Sequence, residues 1–411
     1  MRLFRETTGT WASLAAPLSA GGEGEVRAVA GEPDLLAKVV FAASATADRA
    51  DKVSVLARWP DRDPRVAFPI ERLLEGPGLG FRGFLMPAFH GAVGLFELTN
   101  PAARQLRGIA LDRSARVELA TELADLVASL HGARLVLGDL LNPNNVLAVV
   151  ASGRPAGIRA VDVDTVQVTA RDAAGRMRTF RCGVGQRSYL APELIGQNLA
   201  TLDRNPESDA YALAVLLWQL LKDAHPFAAI GARQPVDRRM EAGLWPWDHT
   251  RVLPAGWSPV DGGLPFARLP AGVRELFGRA FVAGHADPSR RPMPAEWHGE
   301  LSAWRVSGGD GRGPFAQLLP AIHRAANGAR RLVEHPPFHR VAGPAAAAAV
   351  FVAMALARLD EPPPVAAPPV VPQVPSAASR LPALLQGGGI PNAPALWRAA
   401  LPEDADGQAP R

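Results

Sequence analysis

The chain has 411 residues, and 48% of them are hydrophobic, which is enough to bury a sizeable core. The 44 basic and 40 acidic residues leave a formal net charge of +4, which is too small to indicate a nucleic-acid partner. The single cysteine, Cys182, excludes an internal disulfide framework and a multi-cysteine metal site, and it favours a reducing, cytoplasmic compartment. Residues 1–19 contain no long apolar stretch, so no secretory signal is expected.

The N-terminal quarter of the chain is predicted to form mostly β-strands around one short helix. The expected elements, in chain order, are a strand at 26–29, a turn at 31–33, a strand at 35–41, a helix at 47–58, and strands at 70–74 and 83–86.

A glycine-rich turn and a lysine mark the first candidate site. Gly21, Gly22 and Gly24 allow the backbone to approach a phosphate group closely, because no side chain intervenes. Lys38 lies on the next predicted strand, from which its ammonium group can reach the same phosphates. Taken alone, the glycines are more simply explained by a plain hairpin turn.

The pattern then becomes helical as far as residue 305. Leu119, Leu123, Leu126 and Leu130 recur at helical spacing, and the apolar segment 211–222 predicts a second, buried helix. A small β-rich lobe followed by a larger helical lobe predicts a cleft between them, which is a common position for a ligand.

A loop at 137–147 follows the first of these helices and leads into an apolar strand. Asp139 can accept a hydroxyl proton there, and Asn144 or Asn145, five or six residues later, can ligate magnesium. A turn capped by asparagine hydrogen bonds is the structural alternative.

Two carboxylates, Asp162 and Asp164, follow the next predicted strand, where one of them could hold a magnesium ion that bridges two phosphates. A strand-end turn is the alternative. Three further motifs are individually weak, and they lie at 185–193, 208–213 and 287–292.

In this order and spacing, the motifs of residues 12–305 resemble those of the protein kinase superfamily. The last three matching elements are Ala191-Pro192-Glu193, Ser208-Asp209-Ala-Tyr211 and Arg291-Pro292. The resemblance implies an α+β, bilobal protein-kinase-like domain at 1–305. Its small β-rich N-lobe would cover about 1–86 and its larger helical C-lobe about 87–305.

A narrower resemblance rests on Gly138-Asp139, Asp162-Val163-Asp164 and the ending Ala295-Glu296-Trp297. These residues are similar to those of bacterial kinases that act with a von Willebrand-A-domain protein and a PPM-type phosphatase in a phosphorylation triad. The resemblance therefore implies a protein substrate and these two partners.

The resemblance implies ATP and Mg²⁺ as cofactors and serine or threonine hydroxyls as acceptors. Lys38 would pair with the α- and β-phosphates, and Asp139 would orient the substrate hydroxyl and accept its proton. Asp162 would hold Mg²⁺ with Asn144 or Asn145, of which the sequence context slightly favours Asn145. The implied nucleotide-binding residues are Gly21, Gly22, Gly24, Val26, Lys38, the gatekeeper Met86, and the hinge residues Pro87 and Phe89.

Three more residues would be structural. Glu193 and Arg291 would form a buried ion pair, and Asp209 would accept hydrogen bonds from backbone N–H groups of the catalytic loop. Cys182 would lie in the activation segment as a buried, inert thiol.

The departures from the family pattern carry their own expectations. Gly138 stands where an arginine usually anchors a phosphorylated loop, so we expect activity that does not require loop phosphorylation. The helix after Lys38 contains no glutamate, and Asp51, or else Asp48, is the expected partner of that lysine. These departures support an alternative, a pseudokinase scaffold that binds nucleotide or a partner without transferring phosphate. A small-molecule kinase is disfavoured because the substrate-platform motifs are present.

A C-terminal extension follows the globular part. Residues 306–340 begin with closely spaced glycines and predict a linker with a short helical stretch. The alanine-rich run at 341–359 predicts an apolar helix, which could serve as a single membrane anchor with the kinase in the cytosol, or could pack on the domain or lie free. In 361–411, 12 of 51 residues are proline, so a disordered tail is expected at 360–411.

Overall fold

The computed structural model describes residues 1–172 and 174–307. Its strands are β1 (Arg2–Arg5), β2 (Trp11–Ala20), β3 (Gly24–Val29), β4 (Glu32–Val40), β5 (Glu71–Leu74), β6 (Phe81–Pro87), β7 (Ala92–Gly94), β8 (Val146–Ala151), β9 (Arg154–Ala160), β10 (Val168–Arg171), β11 (Met177–Phe180), β12 (Ala229–Ile230) and β13 (Ser258–Pro259). Its helices are α1 (Ala47–Ala57), α2 (Leu95–Leu98), α3 (Pro101–Leu106), α4 (Arg113–Gly132), α5 (Pro206–Lys222), α6 (Val236–Glu241), α7 (Ala271–Gly278), α8 (Gly284–Ala286) and α9 (Pro294–Val306).

The first six strands close into an antiparallel barrel in the order β1-β2-β3-β4-β6-β5. Alternation along the strands sends one set of side chains inward. The inward-facing, buried residues are Leu3, Ala12, Leu14, Val29, Ala37, Val39, Leu73 and Leu85. The expected strands are confirmed in this region. The turn predicted at 31–33 is shorter than expected, since β4 already begins at Glu32.

Helix α1 packs outside the barrel against β5 and β6. It begins after Thr46, whose hydroxyl accepts the N–H of Arg49 at 3.2 Å. Val53 on this helix is fully buried in a small apolar cluster with Phe84 and Met86 of β6. The outward face of β4 adds Leu36 to the cluster. Lys38, two residues later, shares that outward face by strand alternation.

The main core lies among the helices that follow. The predicted leucine stripe of α4 is fully buried, and α4 packs against α5, α9 and β9. Trp218 of α5 meets Phe277 of α7 edge-on at 4.9 Å between ring centroids. Both helices expected from the apolar patterns are therefore confirmed, and the described chain has the predicted α+β class.

A three-stranded sheet, β7-β8-β9, positions the polar loops. Strand β8 begins directly after the loop at 137–145, and β9 ends at Ala160, two residues before Asp162. The N–H of Val161 donates to the carbonyl of Asn145 at 2.9 Å, which fixes the two loops side by side.

The predicted C-terminal extension falls almost entirely outside the description. From residue 308 onward, the expected linker, the apolar run at 341–359 and the tail at 360–411 lie outside the described residues. Within residues 1–172 and 174–307, no helix is long and apolar enough to cross a membrane.

Candidate active site

Lys38 is the buried cation at the centre of the site. It is 6% exposed, and its Nζ lies 2.8 Å from Oδ1 of Asp164 and 3.1 Å from Oδ1 of Asp162. Burial by itself would lower the pKa of this lysine, but the carboxylates of Asp164 and Asp162 outweigh burial and raise the pKa above its ordinary value. Lys38 is therefore charged and held by two carboxylates.

The prediction that Asp51, or else Asp48, of helix α1 pairs with Lys38 is wrong, because the carboxylates that pair with Lys38 among the described residues are Asp162 and Asp164. Asp48 pairs instead with Arg178 on β11, and the carboxylate closest to Lys38 is Asp164. The helix presents a cation to the site, since Nη2 of Arg49 donates to Oδ2 of Asp164 at 2.6 Å. The acidic partner predicted on α1 is thus replaced by Asp164, in the turn after β9.

The two aspartates after β9 have different surroundings. Asp162 adopts a left-handed backbone conformation, with φ of +63°, and its side chain is 31% exposed. The side chain of Asp164 is fully buried. Burial raises the pKa of Asp162, although Lys38 opposes the shift. Burial also acts to raise the pKa of Asp164, but Lys38 and Arg49 hold that pKa far below its ordinary value.

The glycine-rich turn connects β2 with β3 and is tied to α1. Nη2 of Arg49 lies 2.9 Å from Oε2 of Glu23 at the tip of this turn. A Cβ at Gly24 would lie 2.4 Å from the carbonyl oxygen of Val39, so this glycine is required by strand packing. A Cβ at Gly21 or at Gly22 would meet nothing within 4 Å, so the backbone there borders open space.

Asp139 lies in a short 3₁₀ turn, Gly138–Leu140, and asparagines organise the loop that follows. Its carbonyl oxygen accepts the side-chain N–H groups of Asn142 at 2.6 Å and Asn145 at 2.8 Å. Oδ1 of Asn142 accepts the backbone N–H groups of Asn144 and Asn145. Asn144 is exposed, whereas Asn145 is half-buried against the carbonyl of Asp139. Of the two candidates, the geometry favours Asn145 as the side chain that faces this centre.

The carboxylate of Asp139 is held by the segment that follows β11. The backbone N–H of Gln186 donates to Oδ1 of Asp139 at 3.0 Å. Burial raises the pKa of Asp139, and this hydrogen bond opposes the shift. The backbone of Gln186 therefore orients the carboxylate of Asp139.

The loop that carries Asp139 is held in place by Asp209. This buried carboxylate accepts the N–H of Leu137 at 2.6 Å and the N–H of Gly138 at 2.9 Å, as expected. It also pairs with Nε2 of His131 on α4 at 3.0 Å, a contact that no motif in the sequence indicates. The expected pairing of Glu193 with Arg291 is confirmed, at 2.7 Å for both guanidinium nitrogens, but only the arginine is buried, since the side chain of Glu193 is 36% exposed.

The segment after β11 is fixed by contacts that no motif in the sequence indicates. Arg204, which is 6% exposed, donates through Nη2 to the carbonyl of Val184. The thiol of Cys182 donates to the same carbonyl at 3.3 Å, and this cysteine is buried as expected. Lys52 of α1 donates to the carbonyl of Arg181 at 3.2 Å.

The apolar edge of the site lies beside Lys38. Met86 at the end of β6 is 2% exposed and is directly opposite Leu36 in the β4–β6 pairing. Val26 and Phe89 pack against the same small cluster. Pro87 ends β6, so the predicted hinge connects the barrel with the rest of the chain.

Comparisons with known proteins do not assign a family. No protein-family model matches the chain. Over 114 residues, or 27% of its length, the chain is 31% identical to cyclic GMP-binding protein C of Dictyostelium discoideum. The chain spans about 4% of the length of that relative.

Proposed function

We propose that this chain is an ATP- and magnesium-dependent protein kinase that transfers a phosphoryl group to serine or threonine hydroxyls. The proposal rests on three residues from separate segments that meet in one place: Lys38, Asp139 and Asp162. Lys38 lies 3.1 Å from Asp162, and Asn145 bonds at 2.8 Å to the carbonyl of Asp139. The N–H of Val161, the residue before Asp162, joins the loop of Asp139 through the carbonyl of Asn145. A buried lysine, a metal-type carboxylate and a candidate base in one centre suit phosphoryl transfer.

The proposal includes a bilobal, protein-kinase-like arrangement. The barrel and helix α1 would be the N-lobe, at about 1–86, and the α-helical part would be the C-lobe, at about 87–305. Val26, Met86 and Phe89 would contact the adenine, and Pro87 would offer it a carbonyl acceptor. Gly21 and Gly22, with Gly24 shaping the turn, would direct backbone N–H groups to the phosphates.

The residues present fit a magnesium ion in the manner of a phosphate-bridging site. Within residues 1–172 and 174–307, no group of three or more histidine, cysteine or acidic side chains could hold a metal alone. Magnesium in nucleotide sites needs only one or two carboxylates, with phosphate and water oxygens completing its shell. The partly exposed carboxylate of Asp162 and the amide oxygen of Asn145 would hold it, and the ion would neutralise phosphate charge.

Asp139 would supply the base chemistry. Burial raises its pKa above the ordinary value of a carboxyl group, which brings it closer to that of a useful general base. The N–H of Gln186 holds one oxygen at 3.0 Å, so the carboxylate is oriented. A substrate hydroxyl would hydrogen-bond to this carboxylate and pass its proton to it as the phosphoryl group arrives.

Independence from loop phosphorylation is part of the proposal. Arg204 and Cys182 both donate to the carbonyl of Val184, and Asp139 accepts from Gln186 two residues later. These contacts hold the segment without a phosphate group. An arginine at position 138 is therefore not needed to anchor it.

A pseudokinase scaffold is the second candidate, and one observation favours it. Lys38 already has two carboxylate partners, Asp162 and Asp164, so nucleotide phosphates would have to compete for its ammonium group. Such a protein would bind nucleotide or a partner and transfer no phosphate.

The test uses the full chain incubated with radiolabelled ATP and Mg²⁺, alone and with a von Willebrand-A-domain protein as acceptor. We expect transfer that is lost in Asp139→Asn. Asp125→Asn, on the exposed face of α4 and paired with Arg65, is the matched control and is expected to keep full transfer. Transfer equal in wild type and Asp139→Asn would refute the proposed role of Asp139. ATP binding by both forms with no transfer by either would establish the scaffold.

The cellular setting that we propose follows the same resemblance. The kinase domain would act in the cytoplasm on a protein substrate, with a PPM-type phosphatase reversing the modification. Residues 341–359 would supply a single membrane anchor.

A further inference from the structure

The carboxylate of Asp164 is saturated by two cations and withdrawn from solvent. Its Oδ1 lies 2.8 Å from Nζ of Lys38, and its Oδ2 lies 2.6 Å from Nη2 of Arg49. The side chain has no exposed surface. A buried carboxylate needs such partners, because burial of an unpaired charge is strongly unfavourable. Asp164 therefore has no oxygen available for a metal ion.

Asp162 competes with Asp164 for the same ammonium group. Its distance to Nζ of Lys38 is 3.1 Å, compared with 2.8 Å for Asp164, and its side chain is 31% exposed. The closer and fully buried carboxylate holds the lysine more firmly, because water screens the exposed contact. If Asp164 lost its charge, Lys38 would turn entirely to Asp162.

Arg49 extends the same cluster to the glycine-rich turn. One nitrogen, Nη2, contacts both Asp164 at 2.6 Å and Glu23 at 2.9 Å. The side chain of Arg49 is only 12% exposed, whereas that of Glu23 is 41% exposed. The strand β4, the helix α1, the turn tip and the segment after β9 thus meet at one carboxylate and its two cations.

We propose that Asp164 is a positioning residue, which holds Lys38 and Arg49 so that Asp162 remains available for magnesium. The inference rests on the proposed phosphotransferase function. The sequence predicted an acidic partner for Lys38 on helix α1. The structure instead has a cation, Arg49, on that helix, and the acid, Asp164, lies in the segment after β9. Asp164 acts through Lys38 and Asp162 and does not itself contact substrate.

The first test measures phosphate transfer by the full chain as a function of Mg²⁺ concentration. In Asp164→Asn, Lys38 pairs with Asp162 and competes with the metal. We expect the Mg²⁺ concentration for half-maximal transfer to rise about tenfold or more. An unchanged Mg²⁺ dependence in Asp164→Asn would overturn the inference while the proposed function stands.

A matched control separates positioning from general destabilisation. Asp223, at the end of α5, is also a buried carboxylate held by two arginines, Arg104 and Arg116. Asp223→Asn should lower the thermal midpoint and leave the Mg²⁺ dependence unchanged. A shift in Mg²⁺ dependence as large as that of Asp164→Asn would overturn the inference.

Two further measurements keep the inference testable when a variant or the activity fails. Should Asp164→Asn not fold, Arg49→Gln weakens the same cluster and is expected to shift the Mg²⁺ dependence in the same direction, with Arg49→Lys restoring it in part. Should wild type transfer no phosphate, the proposed function fails, and calorimetric binding of ADP across Mg²⁺ concentrations replaces the kinetic readout. Identical Mg²⁺ dependence in wild type and Asp164→Asn, or in Arg49→Gln where it replaces the first variant, would then overturn the inference on its own.

Discussion

The guanidinium of Arg291 forms two parallel hydrogen bonds with the carboxylate of Glu193, each 2.7 Å long. The arginine side chain is fully buried, and it also donates to the carbonyls of Gly284 at 2.8 Å and Glu207 at 2.9 Å. Its guanidinium lies 5.1 Å from the ring centroid of Tyr211. One side chain therefore joins the segment at 191–195 to α5 and α8.

Replacing this arginine should destabilise the fold more than replacing its partner. We expect Arg291→Met to lower the free energy of unfolding by about 3 kcal/mol, because it leaves the carboxylate and two buried carbonyls without their donor. Glu193→Gln should lower it by about 1 kcal/mol, since the amide oxygen still accepts one hydrogen bond. Urea denaturation of the two variants and wild type measures both values. Equal losses would show that the buried carbonyls contribute nothing.

Glycine at position 138 is required by both conformation and space. Its φ is +55°, and a Cβ there would lie 2.7 Å from Sγ of Cys182 and 2.8 Å from Nη1 of Arg204. We expect Gly138→Ala to lower the free energy of unfolding by about 2 kcal/mol or more. Gly22→Ala is the control, because its Cβ would meet nothing within 4 Å. Urea denaturation should show little loss for Gly22→Ala, and a similar loss in both variants would contradict the packing described at position 138.

Much of the fold follows from patterns that are local in sequence. The leucine stripe of α4 and the apolar run of α5 predicted buried helices, and two apolar segments on either side of a turn predicted the strands around Lys38. Closure of the barrel could not be predicted, because β1 pairs with β5 across almost the whole N-terminal region. Such pairing depends on packing between distant segments, which no local pattern encodes.

Site residues could be predicted where their residue type is rare in this chain, and could not be predicted where it is common. Lys38 is one of three lysines in the chain, and it is the cation of the site. Arg49 and Arg204 were missed because arginine makes up the rest of the 44 basic residues and is therefore uninformative. The acidic partner of Lys38 was predicted on helix α1, but it is Asp164, which lies 126 positions away in the sequence. No local pattern shows that the fold brings these two residues into contact.

The stability of the fold should depend on pH through His225. Nε2 of this half-buried ring donates to the carbonyl of Ser188 at 3.0 Å, and Nδ1 accepts the N–H of Phe227 at 3.2 Å. Burial lowers the pKa of His225 from 6.5 to about 4, and Arg239 adds to the shift. Its contribution is therefore fully present above pH 6.5 and is lost as the pH falls toward 4.

The variant His225→Gln separates the contribution of this histidine to the pH dependence of stability from that of the carboxylates. Over the same pH range, wild type should lose up to about 3 kcal/mol more free energy of unfolding than His225→Gln. His90→Gln, at an exposed histidine, serves as the control and should retain the wild-type pH dependence. Urea denaturation at several pH values measures the slopes. Parallel curves for wild type and His225→Gln would contradict a buried neutral histidine.

Arg204 should determine whether the segment after β11 is held without phosphorylation. The side chain of Gln167 bonds both the backbone N–H and the backbone carbonyl of Arg204, at 2.9 Å each. These bonds fix the backbone from which the guanidinium reaches the carbonyl of Val184. Its charge also favours the ionised form of Asp139. We expect Arg204→Gln to lower kcat about tenfold, the equivalent of one lost charge-assisted hydrogen bond of about 1.5 kcal/mol.

Treatment of wild type with a protein phosphatase should, by contrast, leave kcat within about twofold of its untreated value, because the bonds from Arg204 and Cys182 to Val184 would anchor the segment without a phosphate group. Arg181→Gln is the matched control. This exposed arginine pairs with Asp203, next to Arg204, and its loss should leave kcat near the wild-type value. Phosphate transfer measured before and after phosphatase treatment separates the two mechanisms. A large loss on dephosphorylation, with Arg204→Gln fully active, would mean that a modified side chain holds the segment, and that the contact between Arg204 and Val184 does not.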